Sequence, residues 1–530
     1  NLDKIGADYG NLNTWNTKMV WSKSFDSATG RTKYTITFVD GSGKQVAVPV
    51  TSGSTLNFMW KPDQQGVPFE EVVPIISDVT IDGQRYTIPG TNSNIQDPGK
   101  GKVITGYQEQ WSVYPAHVYG PDQIPFKDVN TINYAFVDFA TPKSYPNLKV
   151  GNSPVYKVMS ADGGADYRQL VELWKAKQRN PYLKVVLSFG GWTNDNETTY
   201  PDINFEQMTD AQQRTFANEA AMLVKSMGFD GVDIDWEWWA NHRSTSQNAC
   251  GVAVKPTAPY CQSTKDGYKI VNHDTQKYIN LLKYLRAELG NDKILSIATV
   301  SSKSKVLSDE DPKVGGVVGA WKAIAGYVNY IYVMAYDMHG AFDNVTDSQS
   351  PWEIDSLSPF SKTIGDDFTV KAALQAYVSS GVPTNKLVLG MAAYGRSSTI
   401  ASEGDKGGLY QASTGAPKGE FDATGVFTYK CLLQHNCHFV SGGAGSIPSF
   451  KIYQDGSDMF SKYGSHSLTP WGSTSNTFIA FDDQNSVKAK FKAACTTFGN
   501  LGGGMIWALD GDTTDATSIT KAVGSSIHCQ

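Results

Sequence analysis

No apolar run in this 530-residue sequence reaches the roughly 18 residues that a membrane-crossing helix needs. A basic excess is also lacking: 46 Lys and Arg stand against 52 Asp and Glu, a formal net charge of −6. Neither a nucleic acid nor a membrane is therefore an expected partner. Long blocks of one charge are absent and 40% of the residues are hydrophobic, which excludes a disordered chain. No solenoid-type or propeller-type repeat is found. Neither GxGxxG nor a Walker-type turn follows the first barrel-like strand, which argues against an open doubly wound sheet, and no cofactor or metal is expected.

Cysteine is scarce, and its spacing is informative. The six residues fall in three local couples, Cys250 with Cys261, Cys431 with Cys437 and Cys495 with Cys529. None forms the close-set CxxC pair of a zinc site. Each couple sits in or near a stretch rich in Ser, Thr, Gly or Asn, so three disulfides and an oxidising compartment are expected, with six free thiols as the alternative. The chain opens at Asn1 without Met or an apolar signal core, which fits a processed secreted protein or a trimmed one. Two N-x-T sequons, at Asn196 and Asn344, would matter only in a eukaryotic host.

What is abundant is aromatic surface: 12% of residues, including 13 Trp and 26 Tyr. Well-filled cores would account for it, and so would platforms on which sugar rings stack. Composition leaves both open.

The length exceeds one ordinary core unless a large barrel takes most of it. Residues 1–95 alternate polar and apolar residues in short runs, TKYTITFV and SDVTIDGQRYTI among them, with Asp-Gly turns. These predict an all-β, sandwich-like module. Trp15, Trp21 or Trp60 could extend a substrate track there, or simply fill the sandwich core. Within the turn-forming segment 91–101, residues 96–101 form the linker. From 102 to 530, eight β-branched or aromatic runs alternate mostly with helix-compatible stretches, the pattern of a (β/α)8 TIM barrel. The runs end in polar or aromatic residues such as Glu109, Asp138, Glu237, Ser301, Asp337, Arg396 and Asp510, as an active site at the strands' carboxyl ends requires. Between the seventh and eighth runs, SVKAKFKAACTTFG supplies the helix, and 397–480 reads as an α+β insertion.

The richest segment is Asp230-Gly-Val-Asp233-Ile-Asp235-Trp-Glu237. Strand alternation points Asp233, Asp235 and Glu237 one way and Val232, Ile234 and Trp236 the other. Carboxylates on such a face sit roughly 6.6 Å apart along the strand. Crowding them inside a barrel raises at least one pKa and keeps a proton available near neutrality, as a general acid needs. An outward-facing acidic strand or a Ca2+ or Mg2+ site is the bland alternative, but no EF-hand spacing supports the latter.

This segment resembles the DxxDxDxE signature of glycoside hydrolase family 18. Ser188-Phe-Gly-Gly191 resembles that family's SxGG strand, Met334-Ala-Tyr336-Asp337 its MxYD strand, Tyr394-Gly-Arg396 its YxR strand, and Trp507 its barrel-floor tryptophan. The motifs run in family order over residues 102–512, and the long insertion resembles that of deep-cleft chitinases. The position of the N-terminal module matches a β-sandwich of some bacterial members, although no motif marks it.

The resemblance implies a secreted, monomeric chitinase that binds chitin and chito-oligosaccharides and cleaves β-1,4-N-acetylglucosamine linkages with retention. Glu237 would be the acid, and the 2-acetamido carbonyl of the sugar at −1 would attack C1 to give an oxazolinium ion. Asp235 would orient the acetamide, Tyr336 would donate to its carbonyl, and Asp233 would share a proton with Asp235, braced by Tyr107 and Ser188. Trp507 would stack under the −1 sugar, with Trp192 and Phe342 on the leaving-group side. Asp337 and Arg396 would bind hydroxyls or form a structural ion pair, and Met334 and Tyr394 would complete the binding set. Asp230, of opposite parity, would be structural. Trp238-Trp239 and His339-Gly-Ala-Phe342 depart from common family patterns, which affects fine subsite preference. An endo-β-N-acetylglucosaminidase acting on N-glycans, or a lectin-like or toxin-subunit glycan binder on the same fold, are the alternatives.

Overall fold

In the computed structural model of the chain, residues 18–26, 31–39, 42, 44, 78–81, 84–87, 95–114, 118–140, 157–159, 163–192, 205, 208–237, 261–264, 267–270, 275–420, 425–434, 437–439, 443–445 and 449–529 are described. The chain divides into two compact units, Asn1–Gly90 and Thr91–Gln530. In the first, β1 (Lys18–Asp26) pairs antiparallel with β2 (Arg31–Val39), and β3 (Asp78–Ile81) with β4 (Gln84–Thr87). β2 is the run TKYTITFV, and β3 with β4 is the run SDVTIDGQRYTI. The rest of the expected sandwich, with Trp15 and Trp60, lies outside the described residues, as does the Trp21 side chain.

The second unit is built on a closed parallel barrel. Its strands are β5 (Val103–Glu109), β6 (Thr131–Ala140), β8 (Lys184–Gly190), β9 (Gly231–Asp235), β12 (Ile294–Thr299), β13 (Tyr330–Val333), β14 (Leu387–Ala392) and β22 (Gly503–Trp507). Each pairs with the next in chain order, and β22 returns to β5, which closes the barrel. These are the eight runs read from the sequence. A short β7 (Lys157–Met159) pairs antiparallel with β6, and β10 (Cys261–Thr264) with β11 (Gly267–Ile270) forms a hairpin between β9 and β12. Helices α1 (Gly163–Arg179), α2 (Asp210–Ser226), α3 (Thr275–Leu289), α4 (Lys303–Ser308), α5 (Ala320–Tyr327) and α6 (Val370–Ser379) fall between the strands. Outward-facing side chains meet them: Trp236, fully buried, makes an edge contact with Tyr278 of α3 at 5.4 Å.

After β14 the chain enters a separate antiparallel sheet. It is formed by β15 (Tyr394–Thr399), β16 (Val426–Thr428), β19 (Lys451–Tyr453), β20 (Trp471–Ser473) and β21 (Thr477–Phe481), in the order β16-β15-β21-β20-β19. Helix α7 (Tyr429–Gln434), the pair β17 (Cys437–Phe439) and β18 (Gly443–Gly445), and α8 (Asp458–Tyr463) complete the insertion. Its core holds Trp471 stacked between Tyr453 and Phe460. Trp471, Trp236 and Trp321 are all fully buried, so part of the aromatic abundance is core filling. The seventh sequence run, read through Arg396, ends as a barrel strand at Ala392. Beyond it, Ala393 donates to the Trp507 carbonyl, and from Tyr394 the backbone pairs with β16 and β21 instead. Tyr394 and Arg396 thus belong to the first strand of the inserted sheet.

Helix α9 (Gln484–Phe498) is the one expected before the last strand, and α10 (Ile519–Ser526) packs on it. Lys490 of α9, almost fully buried, donates to Asp482 Oδ1 at 2.6 Å and to Ser350 Oγ at 2.8 Å. This ties the returning end of the insertion to the loop after β13. Disulfides join Cys431 to Cys437 and Cys495 to Cys529; Cys250 lies outside the described residues.

Candidate active site

Register assembles the center of the site. On one level of the barrel wall, Ser188 of β8 and Ser296 of β12 both align with Asp233 of β9. Ser188 Oγ donates to Asp233 Oδ2 at 2.7 Å, Ser296 Oγ to Oδ1 at 2.8 Å, and Tyr107 Oη of β5 to Oδ2 at 2.8 Å. Asp233 is wholly buried. Burial raises its proton affinity above the ordinary aspartate value, and the three hydroxyl donors oppose that rise.

Two residues further along β9, Asp235 aligns with Gly190 and Ala298, the smallest neighbors available. Gly190 has φ +114°, and a Cβ there would fall 2.0 Å from the Asp235 carbonyl oxygen. Gly191, at φ +86°, donates its N–H to that same carbonyl at 2.7 Å, and a Cβ on it would strike the Phe136 ring at 2.4 Å. Paired glycines are what this close crossing of two backbones requires.

Glu237 lies two residues past the end of β9, half-buried. Its carboxyl accepts the Trp192 backbone N–H, which favors the charged form. Burial and the nearby Asp337 charge outweigh that hydrogen bond and push its pKa up to about 8. Tyr336, also past its strand, is buried with its hydroxyl 3.8 Å from Met505 Sδ. Burial, then the charges of Tyr394, Asp235, Glu237 and Asp337, push its phenol well above the usual tyrosine range, so it stays a proton donor. Asp337 sits at φ +56°, a region Asp tolerates better than most residues. Arg396 grips it with a two-point fork, Nε to Oδ1 at 2.7 Å and Nη2 to Oδ2 at 2.6 Å. The two side chains thus form an ion pair.

Aromatic rings floor and flank this cluster. Trp507 at the end of β22 lies 5.0 Å from Tyr107 and stacks on Phe136 at 5.8 Å, and Phe136 in turn faces Trp111 at 6.3 Å. Trp192 and Phe342 are 58% and 64% exposed, which leaves both rings available for contact. Met334 and Tyr394 are buried in the barrel core together with Tyr107 and Tyr336. Asp230 faces away: it accepts from the Val185 N–H and from Lys177 Nζ, both at 2.8 Å, the structural position its parity predicts.

Sequence reasoning missed Ser296, Phe136 and Trp111. Ser296 had a signal, since it is a small polar residue between Leu295 and Ile297 on a strand destined to neighbor β9. Phe136 stands within an apolar and aromatic run that looks like ordinary core, and Trp111 is a lone ring among polar residues.

The family profile described as glycosyl hydrolases family 18 matches residues 103–512. Among curated relatives, the chain is 27% identical to "Chitinase A1" of Niallia circulans over 456 residues, 77% of this chain and 56% of that protein. It is 29% identical to mouse "Chitotriosidase-1" over 351 residues, 64% of this chain and 61% of that one. The chain therefore spans less than two thirds of the length of these relatives. Among solved structures, chitinase ChiA74 from Bacillus thuringiensis aligns with a TM-score of 0.56 at 23% identity, covering 81% of this chain and 68% of that one. Catalytic domain 2 of the Ostrinia furnacalis Group II chitinase aligns at 0.60 and 20% identity, covering 80% and 96%. At these identities the structural matches speak to the barrel and its insertion.

Proposed function

The chain belongs to glycoside hydrolase family 18, and from that membership we propose that it is a secreted chitinase that hydrolyzes β-1,4 linkages of N-acetylglucosamine polymers with retention. The observation that carries the reading is Glu237: a carboxyl two residues past the end of the barrel strand that holds Asp233 and Asp235, held protonated near neutrality by burial and by Asp337. A protonated acid of that kind can deliver a proton to a leaving glycosidic oxygen.

No second carboxylate is needed as nucleophile. Asp235 lies deeper on the same strand, where it serves the substrate's acetamide: it orients the N–H and offsets the positive charge that develops at C1. Tyr336 donates to the acetamide carbonyl, which closes on C1 to form the oxazolinium ion. Asp233 shares one proton with Asp235. Trp507 supplies the face under the −1 sugar, with Trp192 and Phe342 on the leaving-group side. Chitin and chito-oligosaccharides are the partners, and the protein acts as a monomer. Both disulfides are what an oxidizing, extracellular setting stabilizes.

The test is hydrolysis of a chromogenic chitotrioside set against glycan release from a glycoprotein. Cleavage of the first and not the second supports the chitinase. The reverse result makes the chain an endo-β-N-acetylglucosaminidase, and binding without cleavage of either makes it a lectin.

A further inference from the structure

We propose that Ser296 is a positioning residue that acts through Asp233 on Asp235, because its hydroxyl holds the one oxygen of Asp233 at which the proton of the acidic pair can reside. The proposal rests on the reading above that Asp233 and Asp235 share a proton.

A carboxylate offers about four lone-pair positions, two on each oxygen. Tyr107 and Ser188 both donate to Asp233 Oδ2, at 2.8 and 2.7 Å, and together occupy that oxygen. Ser296 donates to Oδ1 at 2.8 Å, which leaves a single position there. A proton on Asp233 therefore goes to Oδ1, next to Ser296. A serine hydroxyl can donate or accept, so Ser296 can serve the anion as donor and turn to the neighboring Tyr332 hydroxyl, or accept, when Oδ1 is protonated.

The surroundings give that one hydroxyl unusual weight. Asp233, Ser188 and Ser296 are all at 0% exposure, with Tyr107 at 1%. The groups facing Asp233 are Tyr107 from β5, Ser188 from β8, Ser296 from β12, Tyr332 from β13 and Tyr278 from α3, with Asp235 on its own strand. The titratable ones are tyrosines or an acid, so the ionized form of Asp233 relies on hydroxyl donors against burial. Register fixes the donor in place, since Ser296 and Asp233 are paired across β12 and β9. Removing the hydroxyl strengthens proton binding at Oδ1, and the first proton then leaves the Asp233–Asp235 pair at higher pH.

Ser296→Ala should move the acid limb of the kcat/KM profile upward by about one pH unit. Ser296→Thr should restore the parent limb, and Ser296→Cys, a weak donor, should fall between. Carboxyl titration of the substrate-free protein, by 13C NMR with labeled aspartate, should show the same upward movement of one buried Asp. Should the Ala variant not fold, the near-isosteric Cys variant carries the comparison. An acid limb and a carboxyl titration both unchanged in folded Ser296→Ala or Ser296→Cys overturn the proposal. If the parent protein hydrolyzes no N-acetylglucosamine oligomer, the functional reading falls, and the carboxyl titration alone decides the role of Ser296.

Discussion

Asp337 is shared between two partners of opposite effect: Arg396 clamps both its oxygens, while its negative charge lifts the proton affinity of Glu237. Arg396 comes from the inserted sheet and Glu237 follows a barrel strand, so Asp337 is one point at which the insertion and the barrel meet. If Glu237 is the acid, it must be protonated to act, and activity should fall as pH rises through its pKa of about 8. Asp337→Asn removes the repelling charge, lowers the Glu237 pKa and should shift the basic limb of kcat/KM downward by roughly half to one unit. A basic limb that stays in place would show that burial alone sets the acid.

Glu237→Gln keeps the shape of the site and deletes the proton. Hydrolysis should fall by at least about a thousandfold while chito-oligosaccharide affinity, measured by calorimetry, stays within a few fold. Activity within tenfold of the parent would remove Glu237 from the role.

If the acetamide is the nucleophile, fully deacetylated oligomers have no carbonyl oxygen to offer and should not be cleaved. A thiazoline analogue of the oxazolinium should bind far more tightly than the corresponding sugar. Asp235→Asn should lower kcat by roughly a hundredfold or more, through loss of the charge opposite the developing cation. Trapping of a glycosyl ester on a carboxylate would contradict this and return Asp235 to consideration as nucleophile.

The buried Lys490–Asp482 pair makes a prediction about stability. Lys490→Met leaves a buried carboxylate uncompensated and should cost about 3 to 5 kcal/mol. Converting Asp482 to Leu as well should recover much of the loss. Thermal or urea unfolding of the three proteins reads both effects, and a double variant no better than the single one would mean that Ser350 and Ser486, which also contact Asp482, need the charge.

Much of this was legible because two periodicities carry it. The alternation in Asp233-Ile-Asp235-Trp placed the acids inward and Trp236 outward, and Trp236 does pack against Tyr278 of α3. Eight β-branched runs implied eight barrel strands for the same reason. The missed features depend on what stands opposite in space. Ser296 acquires its meaning from register with Asp233, which needs the pairing of β12 with β9 before the residue can be weighed. Arg396 was read as the tip of a barrel strand because apolar runs do not announce where a backbone changes hydrogen-bonding partner. Phe136 looks like core in one dimension and, with Trp111, lines a platform in three.

That change of partner at Ala393 matters to anyone recombining such enzymes. The inserted sheet starts at Tyr394, with Arg396 on its first strand, so the insertion is not a detachable wall. A chimera spliced at Ala393 imports the donor's arginine along with its sheet, whereas one spliced after Thr399 keeps the whole of β15, and with it the native clamp and the residues that pair with β21. Junctions for exchange in this scaffold therefore belong in the connections between β15 and β16 and between β19 and β20, where neither the guanidinium fork nor a strand is severed.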